Sequence, residues 1–393
     1  MTCDMEIGPL KREERLPAID VLRGLALLGV LLVNVTAFAG YPLSPEEMGP
    51  ISRVAMAFVT FFAAGKCFAL LAFLFGWGTA IQMARAERGE RPFAPFYVRR
   101  LLALLAIGVA HAILVWEGDT LLPYALLGFF LLPLRKIPDR ALLALGAIGL
   151  LIPMLFSMPG PGVAPHGEYE PGYSALWEPA LEGASAGVQS ERFVEGAYWH
   201  IVRYRFDTLG ETFVRALFRA THVLGVFVLG LYAGRRRIFR DLPERLPLFR
   251  RVAWIALPLG LALAGAQVYV IHQWALIPEP YRALAFRIAY VWGGATLCLG
   301  YVALILLLAR RALCSERLAP LAAVGRMSLT HYLLHSIVLA SIFYGYGLGL
   351  YGRLAPSLTI VMAFVIYRLQ IALSNWWMTR FQFGPAEWAW RTL

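Results

Sequence analysis

Apolar stretches of about 17–30 residues, nearly free of charge, recur along the whole chain. Most are long enough to cross the hydrocarbon core of a membrane as a helix. They fall at 18–40, 53–83, 98–117, 119–134, 140–158, 213–234, 252–272, 283–309, 320–345 and 356–377. A chain with so many such segments has more apolar surface than a water-soluble core can hold. The composition agrees: 59% of residues are hydrophobic and 16% charged, and the mean hydropathy is +0.62. The expected fold class is all-α, a polytopic integral membrane protein of about ten transmembrane helices. The second segment is long, since about 30 residues would span about 45 Å. It is expected to tilt or break near Gly65–Lys66.

The net charge of +11 does not point to nucleic acid, because the basic residues lie in short runs between apolar segments. Alternate loops carry Arg85, Arg88, Arg91, Arg99 and Arg100; Arg135, Lys136 and Arg140; Arg235 to Arg251; and Arg310 to Arg326. The intervening loops hold few. This asymmetry predicts that the N- and C-termini are both cytoplasmic. The four cysteines are scattered, so neither a disulfide framework nor a zinc site is indicated. No cleavable signal peptide is evident. A Walker motif is absent from the sequence. ATP hydrolysis therefore finds no support.

Polar residues inside apolar segments are the informative ones, because such groups face a protein interior or a wet cavity. On the first helix Asp20 and Arg23 are spaced to pair. Arg23 and Asn34, eleven apart, return to within about 20° of one face. Either this stripe lines a cavity, or Asp20 and Arg23 mark the membrane surface and Asn34 bonds a neighbouring helix. Lys66 is the only charge between Arg53 and Arg85; it reads as a cation for phosphate, carboxylate or thioester, or as half of a structural pair. On the third helix Arg100 and His111 are again eleven apart. His111 with Asp119 makes a minimal general base, although Asp119 alone reads equally as the cap of the next helix. Asp20, Arg23, Asn34, Lys66, Arg100 and His111 are expected to face one shared cavity. Glu211, Arg215, Arg219 and His222 fall on one stripe of the sixth helix, where the arginines suit an anionic headgroup or simple snorkelling. His331 and His335 sit four apart, a weak zinc signal without a nearby Glu and a good interhelical hydrogen-bonding pair.

The run Asp20–Val–Leu–Arg23–Gly24–Leu–Ala26, with Asn34 fourteen residues after the Asp, resembles the first helix of the transmembrane acyltransferases. These include the acyltransferase-three type, with His in place of Asn34, and the heparan-glucosaminide N-acetyltransferase type, with Asn. Further blocks resemble the YeiB-like family (domain of unknown function 418) over most of the chain. They are Gly65–Lys66–Cys67–Phe68 with Leu74–Phe75–Gly76; Arg99–Arg100–Leu101 with Gly108 to His111 and Gly118–Asp119 to Tyr124; Gly325 to Ser336; Tyr344 to Gly347; and Gly384–Pro385–Ala–Glu387–Trp388.

The resemblance implies an N-terminal helical half (1–158) like the acyltransferase core and a C-terminal helical half (213–393) with the YeiB-like signature; between them the long segment 159–212, extracytoplasmic by the charge asymmetry, reads as a cap over a binding site or as a surface spacer. It implies a multi-pass protein of the bacterial cytoplasmic membrane that moves an acyl group, acetyl by preference, from cytoplasmic acyl-CoA to an extracytoplasmic sugar, lipid or small molecule. Arg99 and Arg100 would hold cofactor phosphates, with Arg23 and Lys66 also on the cofactor. Asn34 or Lys66 would polarise the thioester, and His111, oriented by Asp119, would be the base. Tyr124, Arg215, His222, His331 and His335 would meet the acceptor, and Asp20 would be structural. The family often has Asn and Gln where this chain has His331 and His335, which argues against an obligatory role for either. No metal and no nucleic acid are expected; membrane lipids are, and homo-oligomerisation is left open. The alternative is a secondary transporter of small anionic or amphipathic solutes; a lipid-binding scaffold comes third.

Overall fold

A computed structural model describes residues 16–40, 48–89, 92–155, 193–194, 196–219, 221–239, 242–273 and 276–392. The side chains of 211–219, 279–280 and 312–315 lie outside that description. Every regular element among the described residues is helical: α1 Pro17–Ala39, α2 Pro50–Phe62, α3 Lys66–Arg88, α4 Phe93–Leu114, α5 Leu121–Leu134, α6 Asp139–Leu155, α7 Tyr198–Arg219, α8 Thr221–Arg235, α9 Leu246–His272, α10 Glu279–Arg287, a π-helical turn Ile288–Trp292 that runs on into α11 Gly293–Leu308, α12 Ala312–Arg326, α13 Ser328–Phe343, α14 Pro356–Met378 and α15 Pro385–Thr392.

Among the described residues, six helical stretches are long and apolar enough to cross a membrane: Pro17–Ala39, Pro50–Arg88, Phe93–Leu114, Leu246–His272, Tyr281–Leu308 and Pro356–Met378. Two more, Leu121–Leu134 and Ser328–Phe343, are apolar but shorter. α9 and α14 turn large apolar side chains outward, among them Trp254, Ile255 and Leu259, and Val361, Val365 and Leu369. Such faces are a liability in water and the expected surface in lipid. By length and composition this is the fold of a multi-pass membrane protein.

α1 lies at the centre, against α3, α12, α13 and α14. It starts with Pro17 in its first turn and stops at Gly40, whose left-handed φ of 63° closes the helix on Ala37 O;. Glycines let the backbones come close. A Cβ on Gly325 would sit 1.8 Å from Asp20 O, and one on Gly76 would sit 1.9 Å from Phe227 O. These approaches lock α12 to α1 and α8 to α3.

The long second segment breaks where expected. Ala63 and Ala64 both donate to Val59 O, Gly65 takes φ 79°, and α3 restarts at Lys66. The segment expected at 320–345 is also broken, at Met327 between α12 and α13. The sixth differs: α7 is an amphipathic helix that runs through the boundary expected at 212/213, and the apolar helix begins only at Thr221.

The end of α8 meets the start of α6 at one end of the bundle. There Arg235 and Arg236 pair with Asp139 and α15 folds back onto α4. At the far end lie the α4–α5 turn, α7 and the 344–355 loop.

Candidate functional site

α4 ends at Leu114, one turn after His111, whose carbonyl accepts from both Val115 N and Trp116 N at 2.9 Å. The chain turns tightly through Glu117 and Gly118, the latter against the Trp116 ring. The turn returns Asp119 to the histidine: His111 Nδ1 lies 2.8 Å from Asp119 Oδ1. The second carboxylate oxygen accepts from Leu122 N at 2.6 Å. One carboxylate oxygen thus caps α5, and the other lies against the imidazole. From α13, Tyr332 donates its hydroxyl proton to Asp119 Oδ1 at 3.2 Å and accepts from Thr120 N at 2.9 Å. With its proton on Nδ1 toward the carboxylate, the imidazole presents a bare Nε2. That atom is buried and has no partner among the described residues.

Among the described residues, further buried polar atoms lack partners nearby in the fold. Both side-chain atoms of Asn34 are unpartnered. Phe38, one turn further along α1 on the same face, has its ring centroid 4.6 Å from that of Trp116 in a tilted contact, which ties this part of α1 to the α4–α5 turn. Ser336, one turn beyond Tyr332 on α13, is buried with an unpartnered Oγ. On its other face α13 meets α14: His331 Nε2 is 2.5 Å from Ser374 Oγ and His335 Nε2 is 2.8 Å from Gln370 Oε1. Their Nδ1 atoms have no partner. The interhelical reading of these two histidines is what the geometry gives.

At the far end, Arg205 of α7 is buried and its Nε donates to Glu117 Oε2 at 2.7 Å. Its guanidinium lies 5.4 Å over the Tyr344 ring. Burial works against this charge, but the Glu117 carboxylate outweighs it, so the pKa of Arg205 is raised above its ordinary value;. Tyr198 adds a hydrogen bond to Leu114 O at 3.1 Å.

The basic end holds a different group. Arg23 pairs with Asp20 at 3.2 Å and approaches Gly78. Arg100 donates to Gln82 Oε1 at 3.0 Å and lies 3.9 Å over the Trp390 ring. Arg391, Arg23 and Arg99 all repel Arg100. Trp390 Nε1 donates to Arg100 O at 2.8 Å, and Arg391 stacks 4.2 Å over Phe383. Glu387, on the same short α15, accepts from Leu329 N at 2.6 Å, Thr330 N at 3.1 Å and Thr330 Oγ1 at 2.6 Å. A carboxylate at the start of α13 satisfies its first free N–H groups. The C-terminal helix thus fastens α4 to α13, and with it Arg100 to the helix that carries Tyr332.

The single shared cavity expected for six residues is not what forms. Arg23 and Arg100 reach α3 at Gly78 and Gln82, roughly 18–24 Å along its axis from Lys66. Lys66 turns instead to α2 and α9, donating to Thr60 O at 2.7 Å and to Gln267 Oε1. His111 belongs with α5 and α13. Tyr124 ties helices together, its hydroxyl donating to Phe68 O at 2.8 Å between Phe75 and Phe227. His222 stands 6.1 Å from the Tyr290 ring, away from His111. The Arg215 side chain lies outside the described residues. Tyr332, Ser336, Arg205, Glu117, Gln267, Glu387, Trp390 and Arg391 were not singled out from sequence. Of these, Tyr332 and Ser336 lie in the Gly325 to Ser336 block, and Glu387, Trp390 and Arg391 in the dense terminal Gly–Pro–Ala–Glu–Trp–Ala–Trp–Arg run.

A family model described as "Protein of unknown function (DUF418)" matches residues 233–393. The chain is 32% identical over 408 residues to the uncharacterized protein YxaH of Bacillus subtilis, covering 98% of this chain and 96% of that protein. It is 28% identical over 406 residues to the uncharacterized protein YeiB of Escherichia coli, covering 97% and 96% respectively. An uncharacterized 39.9 kDa protein of Bacillus acidopullulyticus is 27% identical over 394 residues, covering 98% and 96%.

Proposed function

The chain belongs to the YeiB-like DUF418 family, and from that premise we propose that it is a transmembrane acyltransferase of the cytoplasmic membrane. In this reading the chain crosses the membrane ten times. The pairs α2–α3, α10–α11 and α12–α13 each form one broken span, and both termini and the basic end face the cytoplasm. The donor is acyl-CoA, acetyl-CoA by preference. The acceptor is an extracytoplasmic hydroxyl or amine on a sugar, lipid or small molecule.

The observation that carries the proposal is the state of His111. One ring nitrogen is committed to a buried carboxylate, and the other is buried, basic and unpartnered. That is the arrangement of a general base waiting for a proton donor. About 16 Å away along the same helix, Arg100, Arg99, Arg23 and Arg391 assemble positive charge beside the Trp390 ring. This set suits phosphates and a stacked purine. α4 would then hold a donor at its cytoplasmic end and present its thioester toward the outer end.

The chemistry balances without a metal. His111 Nε2 takes the proton of the acceptor O–H or N–H as the acceptor oxygen or nitrogen attacks the thioester carbonyl. The Asn34 amide is the neutral donor available to the developing oxyanion. Collapse breaks the C–S bond, and the imidazolium returns the proton to the CoA thiolate. Asp119 holds the ring and stabilises its charge, while Tyr332 positions Asp119. α7, pinned by Arg205 to Glu117, caps the turn from outside and limits entry of water.

A secondary transporter is the second reading, favoured by one feature. The break at 63–65 faces the π-helical turn at 288–292, with Gly65 against the Tyr290 ring, and paired helix interruptions mark transport sites. Purified protein in vesicles loaded with labelled acetyl-CoA separates the two. Label fixed covalently to an acceptor on the opposite face supports the enzyme. Solute flux without covalent transfer supports the transporter.

A further inference from the structure

Lys66 stands at the break between α2 and α3, 0% exposed. Cys67 beside it presses its Sγ against Gly29, midway along α1, so the ammonium lies at the middle of the bundle. No carboxylate pairs with it among the described residues, and the ionisable group acting on it is the Cys67 thiol. Its two hydrogen-bond acceptors, Thr60 O and Gln267 Oε1, are both neutral. Thr60 O is free for this purpose because Ala64 N donates to Val59 O instead.

A buried charge in such a place is ordinarily neutralised by a partner. The atoms left over around Lys66 are donors. Gln267 turns its oxygen to the ammonium, so its unpartnered Nε2 is the amide's donor end;. The Thr60 hydroxyl is unpartnered as well. Both residues are 0% exposed, and covalent geometry keeps both groups within a few ångströms of the ammonium. The start of α3 adds the positive end of a helix dipole. A cation, an amide N–H₂, a hydroxyl and a helix start, with no acid among them, complement one negative charge.

We propose that Lys66, Gln267 and Thr60 form a buried site for a monovalent anion, chloride or a carboxylate, separate from the His111–Asp119 centre. The site is independent of the acyl-transfer reading, because it uses none of that machinery.

The test uses the full chain in detergent, dialysed into sodium gluconate, whose anion is too bulky for the site. Melting temperature is followed as sodium chloride, or in a second arm sodium acetate, replaces gluconate at constant ionic strength. A saturating rise of several degrees is expected in one arm, and the arm that responds identifies the source. Gln267→Glu places a carboxylate beside Lys66 and should make melting insensitive to both anions. Lys66→Met removes the charge and should do the same, which keeps the test decisive if one variant fails to fold. General salt effects persist in the variants and subtract out. Absence of any anion dependence in the unmodified protein overturns the proposal, as does an equal dependence in the variants.

Discussion

Tyr332 of α13 donates its hydroxyl proton to the same Asp119 oxygen that holds His111, at 3.2 Å, and accepts the Thr120 N–H at 2.9 Å. A tyrosine more than 200 residues away in sequence thus closes the α4–α5 turn. Tyr332→Phe leaves the ring's packing intact but strands the half-buried Thr120 N–H. An unsatisfied buried donor costs about 1–3 kcal/mol. The expected result is a lower melting temperature together with a drop in the transfer rate at saturating acceptor and little change in acyl-CoA affinity. Loss of affinity with an unchanged rate would place Tyr332 elsewhere in the mechanism.

Glu387 accepts three hydrogen bonds at the start of α13 while Trp390, one turn on, covers Arg100. Glu387→Ala removes a charged helix cap, worth about 1–2 kcal/mol, and loosens α15. Acyl-CoA affinity should fall although residue 387 need not touch the donor. Trp390→Leu should lower affinity while changing melting less. If Glu387→Ala binds donor like the unmodified protein, α15 is no part of the donor site.

The buried pair Arg205–Glu117 makes a third prediction. Arg205→Ala leaves a carboxylate unpaired in the turn, and breaking such a pair costs about 3–5 kcal/mol. Replacing both, with Arg205→Met and Glu117→Leu, should cost much less than Arg205→Ala alone. If α7 is a cap, the double variant should also raise the rate of acyl-CoA hydrolysis without acceptor, because water gains access to the centre. An unchanged hydrolysis rate would make α7 a spacer.

Much of this was readable from sequence, for physical reasons. Hydropathy placed the helices because each segment must satisfy its backbone internally. Gly65 beside Lys66 marked the break, since only glycine takes φ 79° without strain;. His111 and Asp119 could be paired because a tight turn joins them. The contacts of Tyr332, Arg205, Gln267 and Trp390 were hidden because each reaches its partner across long stretches of chain, and one sequence carries no signal for such contacts. The assumption of one shared cavity failed for a related reason. Polarity at membrane depth says that a side chain must face protein, not which neighbour it faces. Lys66 found Gln267 of α9, while Arg100 found α15 at the basic end.

The separation of chemistry from donor binding along α4 is the central claim, and one paired measurement tests it most directly. His111→Gln keeps size and some hydrogen bonding while removing the base; Arg100→Ala removes a donor contact. Acyl-CoA affinity and acyl transfer to a membrane extract are measured for both variants. His111→Gln should bind acyl-CoA like the unmodified protein and transfer about 100-fold to 10,000-fold more slowly, while Arg100→Ala should weaken binding first. Transfer by His111→Gln at the unmodified rate would contradict the account.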